Sequence, residues 1–119
     1  MKKSIVAVIA LVAILAACGP DRAKLRTELQ SINAELDQIR TSAAQQQARM
    51  SAAEFDAHIG SFAAGYGAVS GDYDLAGRGV DVAAQSAMDF GTSSNALEQL
   101  KNRHDQLAKR RAKIVSKLD

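Results

Sequence analysis

Tryptophan is absent from this chain of 119 residues, and cysteine and proline occur once each, as Cys18 and Pro20. A single cysteine excludes an internal disulfide framework. A single proline near the start leaves the rest of the chain without the residue that most strongly interrupts helices. Aromatics are few: three Phe and two Tyr, all between positions 55 and 90. Glycine and proline are both missing from Asp21 to Ile59. A run long enough to span a bilayer, roughly 17–25 apolar residues, is also missing, since the longest, Ile5 to Ala17, has 13. Nor is there an excess of one charge. With Lys2 and Lys3 set aside, 13 basic residues face 13 acidic ones, which excludes a global field for nucleic acid. The charge is unevenly spread: +1 over residues 18–49, −5 over 50–94 and +4 over 95–119.

The N-terminus has the pattern of an export signal. Lys2 and Lys3 form a basic n-region, Ile5 to Ala17 an apolar h-region, and Ala16 and Ala17 are small residues before a cleavage point. Pro20 and Asp21 end the apolar run abruptly, which argues against an uncleaved anchor. Leu15-Ala16-Ala17-Cys18 resembles the lipobox of bacterial lipoproteins. The resemblance covers residues 1–19 and implies that the Cys18 thiol carries a diacylglyceryl group. It further implies cleavage just before Cys18 and acylation of the new amino group. Gly19, a non-Asp residue after the cysteine, implies sorting to the outer membrane in diderm bacteria. These acyl groups are the only covalent additions expected; no other cofactor is. The division is then a signal peptide, 1–17, an acylated anchor, 18–20, and a single helical domain, 21–119. Each buried methylene contributes about 0.8 kcal/mol and two anchoring signals hold stably, so a triacylated cysteine keeps the protein on the bilayer.

Two heptad seams organise the mature chain. Leu25, Leu29, Ile32, Leu36 and Ile39 are spaced 4, 3, 4, 3, with Ala43 and Met50 continuing one line beyond Gln45-Gln46-Gln47. Near the end, Leu97, Leu100, His104, Leu107, Arg111, Ile114 and Leu118 repeat the spacing with two polar intruders. Arm one, residues 21–49, spans roughly 40 Å and arm two, 95–119, roughly 36 Å at 1.5 Å per residue. Similar lengths favour antiparallel pairing.

The middle, residues 50–94, holds all five aromatics and seven of the eight glycines. Ser51-Ala52-Ala53-Glu54 has capping-box spacing, with Met50 and Phe55 as a staple, so a helix is expected to restart there. Its apolar line is Phe55, Ile59, Phe62, Tyr66 and Val69. Ser70-Gly71-Asp72 reads as a turn. A second central helix follows from Tyr73 to Phe90 on Ala76, Val80, Ala83, Ala87 and Phe90. Gly91-Thr92-Ser93-Ser94-Asn95 reads as a stop and a new start, with Asn95 and Glu98 at capping-box spacing. The expected fold is all-α, a long antiparallel helical hairpin or small bundle with coiled-coil-like arms. The rival is a parallel homotrimer of extended helices. The murein lipoprotein of outer membranes is such a coiled coil, and this chain is similar to it in lipobox and heptads. It ends Lys117-Leu118-Asp119 rather than in that family's linking lysine, so peptidoglycan linkage is not implied.

Little here reads as catalysis. His58 stands two residues from Asp56, which on a helix does not share its face. His104 lies on a seam, where a polar residue fixes register. Gly65-Tyr66-Gly67 and Gly77-Arg78-Gly79 follow no strand, so they are not phosphate or dinucleotide loops. No catalytic residue, metal site or small-molecule substrate is expected. Small residues four apart, Gly60, Ala64 and Ala68 with Ala63, Gly67 and Gly71, have the spacing of close helix packing. Nearby charges place that packing in a water-exposed bundle rather than a bilayer. Lys109, Arg110, Arg111, Lys113 and Lys117 either touch anionic lipid headgroups or form a solvated face that complements the helix dipole. Phe62, Tyr66 and Tyr73 are the expected partner surface. The sequence thus points to a periplasm-facing, lipid-anchored envelope component that binds a protein partner or itself. The alternative is a plasmid- or phage-borne lipoprotein that excludes incoming DNA or assists host lysis.

Overall fold

A computed structural model of the chain describes residues 20–119. The signal, Leu15, Ala16 and Ala17 of the cleavage motif, and Cys18 lie outside the described residues. Two helices account for nearly all of the rest: α1, Pro20–Ser70, of 51 residues, and α2, Tyr73–Leu118, of 46 residues. They form a helical hairpin, and no strand occurs among the described residues.

The reversal is made by Gly71 and Asp72. Gly71 adopts a positive φ of 79°, a conformation glycine reaches without steric cost. The Asp72 carboxylate then accepts the Leu75 N–H (3.0 Å), capping α2, and the Asp72 carbonyl accepts the Ala76 N–H (3.0 Å). Asp74 follows in the first turn, where the helix dipole favours an anion.

Neither expected interruption of the helices is present. At Ser51 the hydroxyl donates back to the Gln47 carbonyl (3.2 Å) rather than capping a new start. A capping box needs a preceding break, and the chain has no glycine or proline there to make one. At the second site, Thr92 Oγ1 donates to the Met88 carbonyl (3.0 Å), and Ser93 is buried. The Ser51 and Thr92 hydroxyls thus bond to the helix they belong to, and α2 continues through Gly91.

The chain divides into two compact units. The first comprises residues 20–37 of α1 with Gln106–Asp119 of α2. Its core is aliphatic. Ile32, Leu107 and Ile114 are each 4% exposed, Leu36 is buried, and Leu25, Leu29 and Leu118 are half-buried. Polar contacts also cross between its antiparallel helices: Arg110 Nε donates to Glu28 Oε1, and Arg111 Nε to Asn33 Oδ1 (3.0 Å).

The second unit, Gln38–Asp105, contains the turn. Its buried positions begin with Ile39 and then shrink to Ala53, Gly60 and Gly67 on α1, and Gly79, Ser86 and Ser93 on α2. Here the backbones touch. A Cβ built on Gly60 would lie 2.7 Å from the Gly79 carbonyl oxygen and 2.8 Å from the Ala83 nitrogen. One on Gly67 would lie 2.7 Å from the Asp72 carbonyl oxygen, and one on Gly79 would fall on the Ala64 nitrogen. Gly60 and Ala64 thus pack closely as their spacing predicts, but the line continues through Gly67 rather than Ala68, and Ala68 and Gly71 are exposed. No side chain among the described residues is fully buried, so each unit has a thin core.

Candidate interaction surfaces

In the second unit the large apolar line of α1 faces outward. Phe55, Ile59, Phe62, Tyr66 and Val69 range from 52% (Ile59) to 91% exposed (Val69). The line's spacing leaves open which way it faces, and Phe62 and Tyr66, the residues expected on a partner surface, are exposed. Gly60, Ala64 and Gly67, spaced by the same 3 and 4, turn inward instead. At 100° per residue the two lines lie roughly 150° apart around the helix, so burying one exposes the other. On α2 the frame shifts likewise: Ala76, Gly79, Ala83 and Ser86 are buried or half-buried, whereas Val80 and Ala87 are exposed.

Phe62 and Tyr66 are brought together, with ring centroids 6.3 Å apart and planes at 14°. Tyr73, the third residue of the expected partner surface, opens α2 beyond the turn and is exposed. Sequence reasoning missed Phe55, Ile59 and Val69 as surface residues. The signal that would have found them is the glycine–alanine line on the nearly opposite face, because only small residues permit backbone contact. From Ala57 to Gly71, α1 and the turn carry no Asp, Glu, Lys or Arg. The α2 surface differs, with Arg78 paired to Asp74 (3.5 Å) and Gln85 donating to Asp89 (3.1 Å) among its exposed Val80, Val82 and Met88.

Shallow recesses flank the seam of this unit. One, of about 340 Å³, is lined by Ala53, Glu54, Ala57, Ser86, Ala87 and Phe90. Another, of about 320 Å³, is lined by Ile39, Arg40, Ala43, Leu97, Leu100 and Lys101, with His104 at its edge. A third, more polar, includes Gln46, Arg49, Asp56, Asp89, Thr92 and Ser93. His104 is half-buried on the α2 seam, with Nδ1 3.3 Å from Asp105 Oδ1, and His58 is exposed. Among the described residues no three His, Cys, Asp or Glu side chains come close enough to hold a metal ion.

The basic residues belong to the first unit. Lys109, Arg110, Arg111, Lys113 and Lys117 are all exposed. Two of them are committed to α1, Arg110 to Glu28 and Arg111 to Asn33. Arg111 thus stays at the surface although it stands on the heptad line that buries Leu107 and Ile114. No described helix is long and apolar enough to cross a membrane. Comparisons with known protein families, with curated proteins and with solved structures returned no match.

Proposed function

We propose that this chain is a bacterial envelope lipoprotein. It is acylated on Cys18, sorted to the outer membrane and non-enzymatic, and it displays a helical hairpin in the periplasm as an assembly or protein-interaction component. The observation that carries the interaction role is the uncharged apolar stripe of α1, with the stacked pair Phe62 and Tyr66 at its centre. Contiguous exposed apolar surface of this kind marks contact sites. The anchoring role rests on the lipobox, two residues before α1 begins. Lys109, Lys113 and Lys117 lie in the unit that contains the start of α1. They suit a surface of anionic headgroups close to such an anchor.

Two experiments test the reading separately. Cells expressing the chain are labelled with palmitate and fractionated; label and membrane association are lost in Cys18→Ser. Label or membrane association that survives in Cys18→Ser overturns the anchor. For the interaction, Phe62, Tyr66 and Tyr73 are changed to Ala and the captured partners compared with wild type. An unchanged set of partners rejects the surface.

A further inference from the structure

We infer that the occupant of the α1 stripe is a second copy of this chain, the two stripes packed parallel and in register. The interaction role above is thereby given a partner, and the parallel orientation rests on the lipid-anchor reading, since two copies anchored in one membrane point the same way.

Four observations lead there. First, the spacing of Phe55, Ile59, Phe62, Tyr66 and Val69 is a coiled-coil seam, yet α2 occupies the opposite face of α1 through Gly60, Ala64 and Gly67. The stripe therefore has the geometry of a helix contact and no helix of its own hairpin against it. Second, its flanks suit a copy of itself. In a parallel pair His58 meets Ala63 of the other stripe and Gly65 meets Ser70, so no like charges oppose each other and small residues allow close approach. Third, the area suffices. Three aromatics of 150–250 Å² each, about two-thirds exposed, present on the order of 400 Å². Ile59 and Val69 bring this to roughly 600 Å² per copy, near 1,200 Å² in total, the lower edge of stable protein interfaces. Fourth, no side chain in the hairpin is fully buried, and two such hairpins packed stripe to stripe make a four-helix arrangement that buries what one hairpin leaves exposed. A bilayer fits the stripe less well. Asp72 in the turn, and Asp74, Arg78 and Asp81 beyond it, would be drawn into hydrocarbon with it. The exposed Val80, Val82 and Met88 of α2 lack heptad spacing and offer no equivalent seam.

The single natural cysteine makes the test direct, because an acylated Cys18 leaves no competing thiol. Full-length chains with Phe62→Cys or Val69→Cys are expressed in cells, oxidised and run on non-reducing gels. Ser61→Cys and Ala68→Cys, exposed but off the stripe, serve as controls. Parallel packing predicts a species of twice the chain mass at both stripe positions and neither control. An antiparallel pair would cross-link near Phe62 but not at Val69, overturning the orientation. Equal cross-linking at all four positions, or none, overturns the interface. Independently, the mature chain with Cys18→Ser should sediment at twice its monomer mass. Adding Phe62→Ser and Tyr66→Ser should return it to the monomer with its helical circular dichroism retained. A monomer whose Phe62 and Tyr66 still capture a different envelope protein overturns the second copy and leaves the interaction reading intact. A monomer that floats with phospholipid vesicles through the same residues assigns the stripe to a bilayer, which also overturns it.

Discussion

Gly77 and Gly79 stand two residues apart on α2, and replacing each with alanine should affect stability differently. A Cβ at Gly77 meets nothing within 4 Å. Gly77→Ala therefore removes backbone freedom from the unfolded chain without a steric cost, and should stabilise by about 0.5–1 kcal/mol. A Cβ at Gly79 falls on the Ala64 nitrogen, 2.5 Å from the Gly60 carbonyl oxygen and 2.9 Å from the Ala64 Cα. All three are backbone atoms and cannot rotate away as a side chain would. To restore ordinary contact near 3.5 Å, the helices must separate by about 1 Å, loosening the small-residue seam on either side. Overpacking of this kind costs about 1–3 kcal/mol. It matches or outweighs the helix-propensity gain of about 1 kcal/mol, leaving Gly79→Ala destabilised by roughly 0–2 kcal/mol. Urea unfolding followed by circular dichroism at 222 nm, on the mature chain with Cys18→Ser, measures both. If Gly79→Ala is as stabilising as Gly77→Ala, the helices do not touch at Gly79, and the reason given for the outward turn of Phe62 and Tyr66 is wrong.

The turn should be sensitive at both of its residues. Gly71→Ala forces a Cβ into the left-handed region and should cost about 1 kcal/mol, and Asp72→Ala removes the α2 cap for a similar loss; a midpoint unchanged in both would refute the turn geometry. In the first unit, Leu107→Ala should lower stability by about 2–3 kcal/mol, toward the lower end for a buried leucine because a two-helix core can partly collapse. Loss of less than 0.5 kcal/mol would show that this unit is not held by its seam. On vesicles rich in anionic phospholipid at low salt, changing Lys109, Lys113 and Lys117 together to Gln should weaken binding of the Cys18→Ser chain about 100-fold, from about 1 kcal/mol per residue. Unchanged binding, or none to begin with, removes the lipid-contact role.

The heptads at the two ends were legible because there the inward residues are also the large ones. Ile32, Leu36, Leu107 and Ile114 read as core and are core. In the middle that equivalence fails. Two lines with the same spacing lie on α1, one large and one small, and the small one turns inward, leaving Phe55 to Val69 exposed. The interruptions at Ser51 and Gly91 were misread for a related reason. Capping residues act only where a helix end exists, and their hydroxyls serve equally well bonded back to the helix that continues through them.

By itself, then, the sequence determined the class of fold, the aliphatic seam of the first unit, the turn at Ser70-Gly71-Asp72 and the close packing at Gly60 and Ala64. Each follows from local geometry: residue spacing, the freedom of glycine, or the hydrogen-bonding reach of an aspartate. Only the tertiary structure decided which face of α1 meets α2. That choice depends on how near two backbones can come. Glycine and alanine let α1 and α2 touch, and a helix that spends its small-residue face on its neighbour must present Phe55, Ile59, Phe62, Tyr66 and Val69 to whatever lies outside.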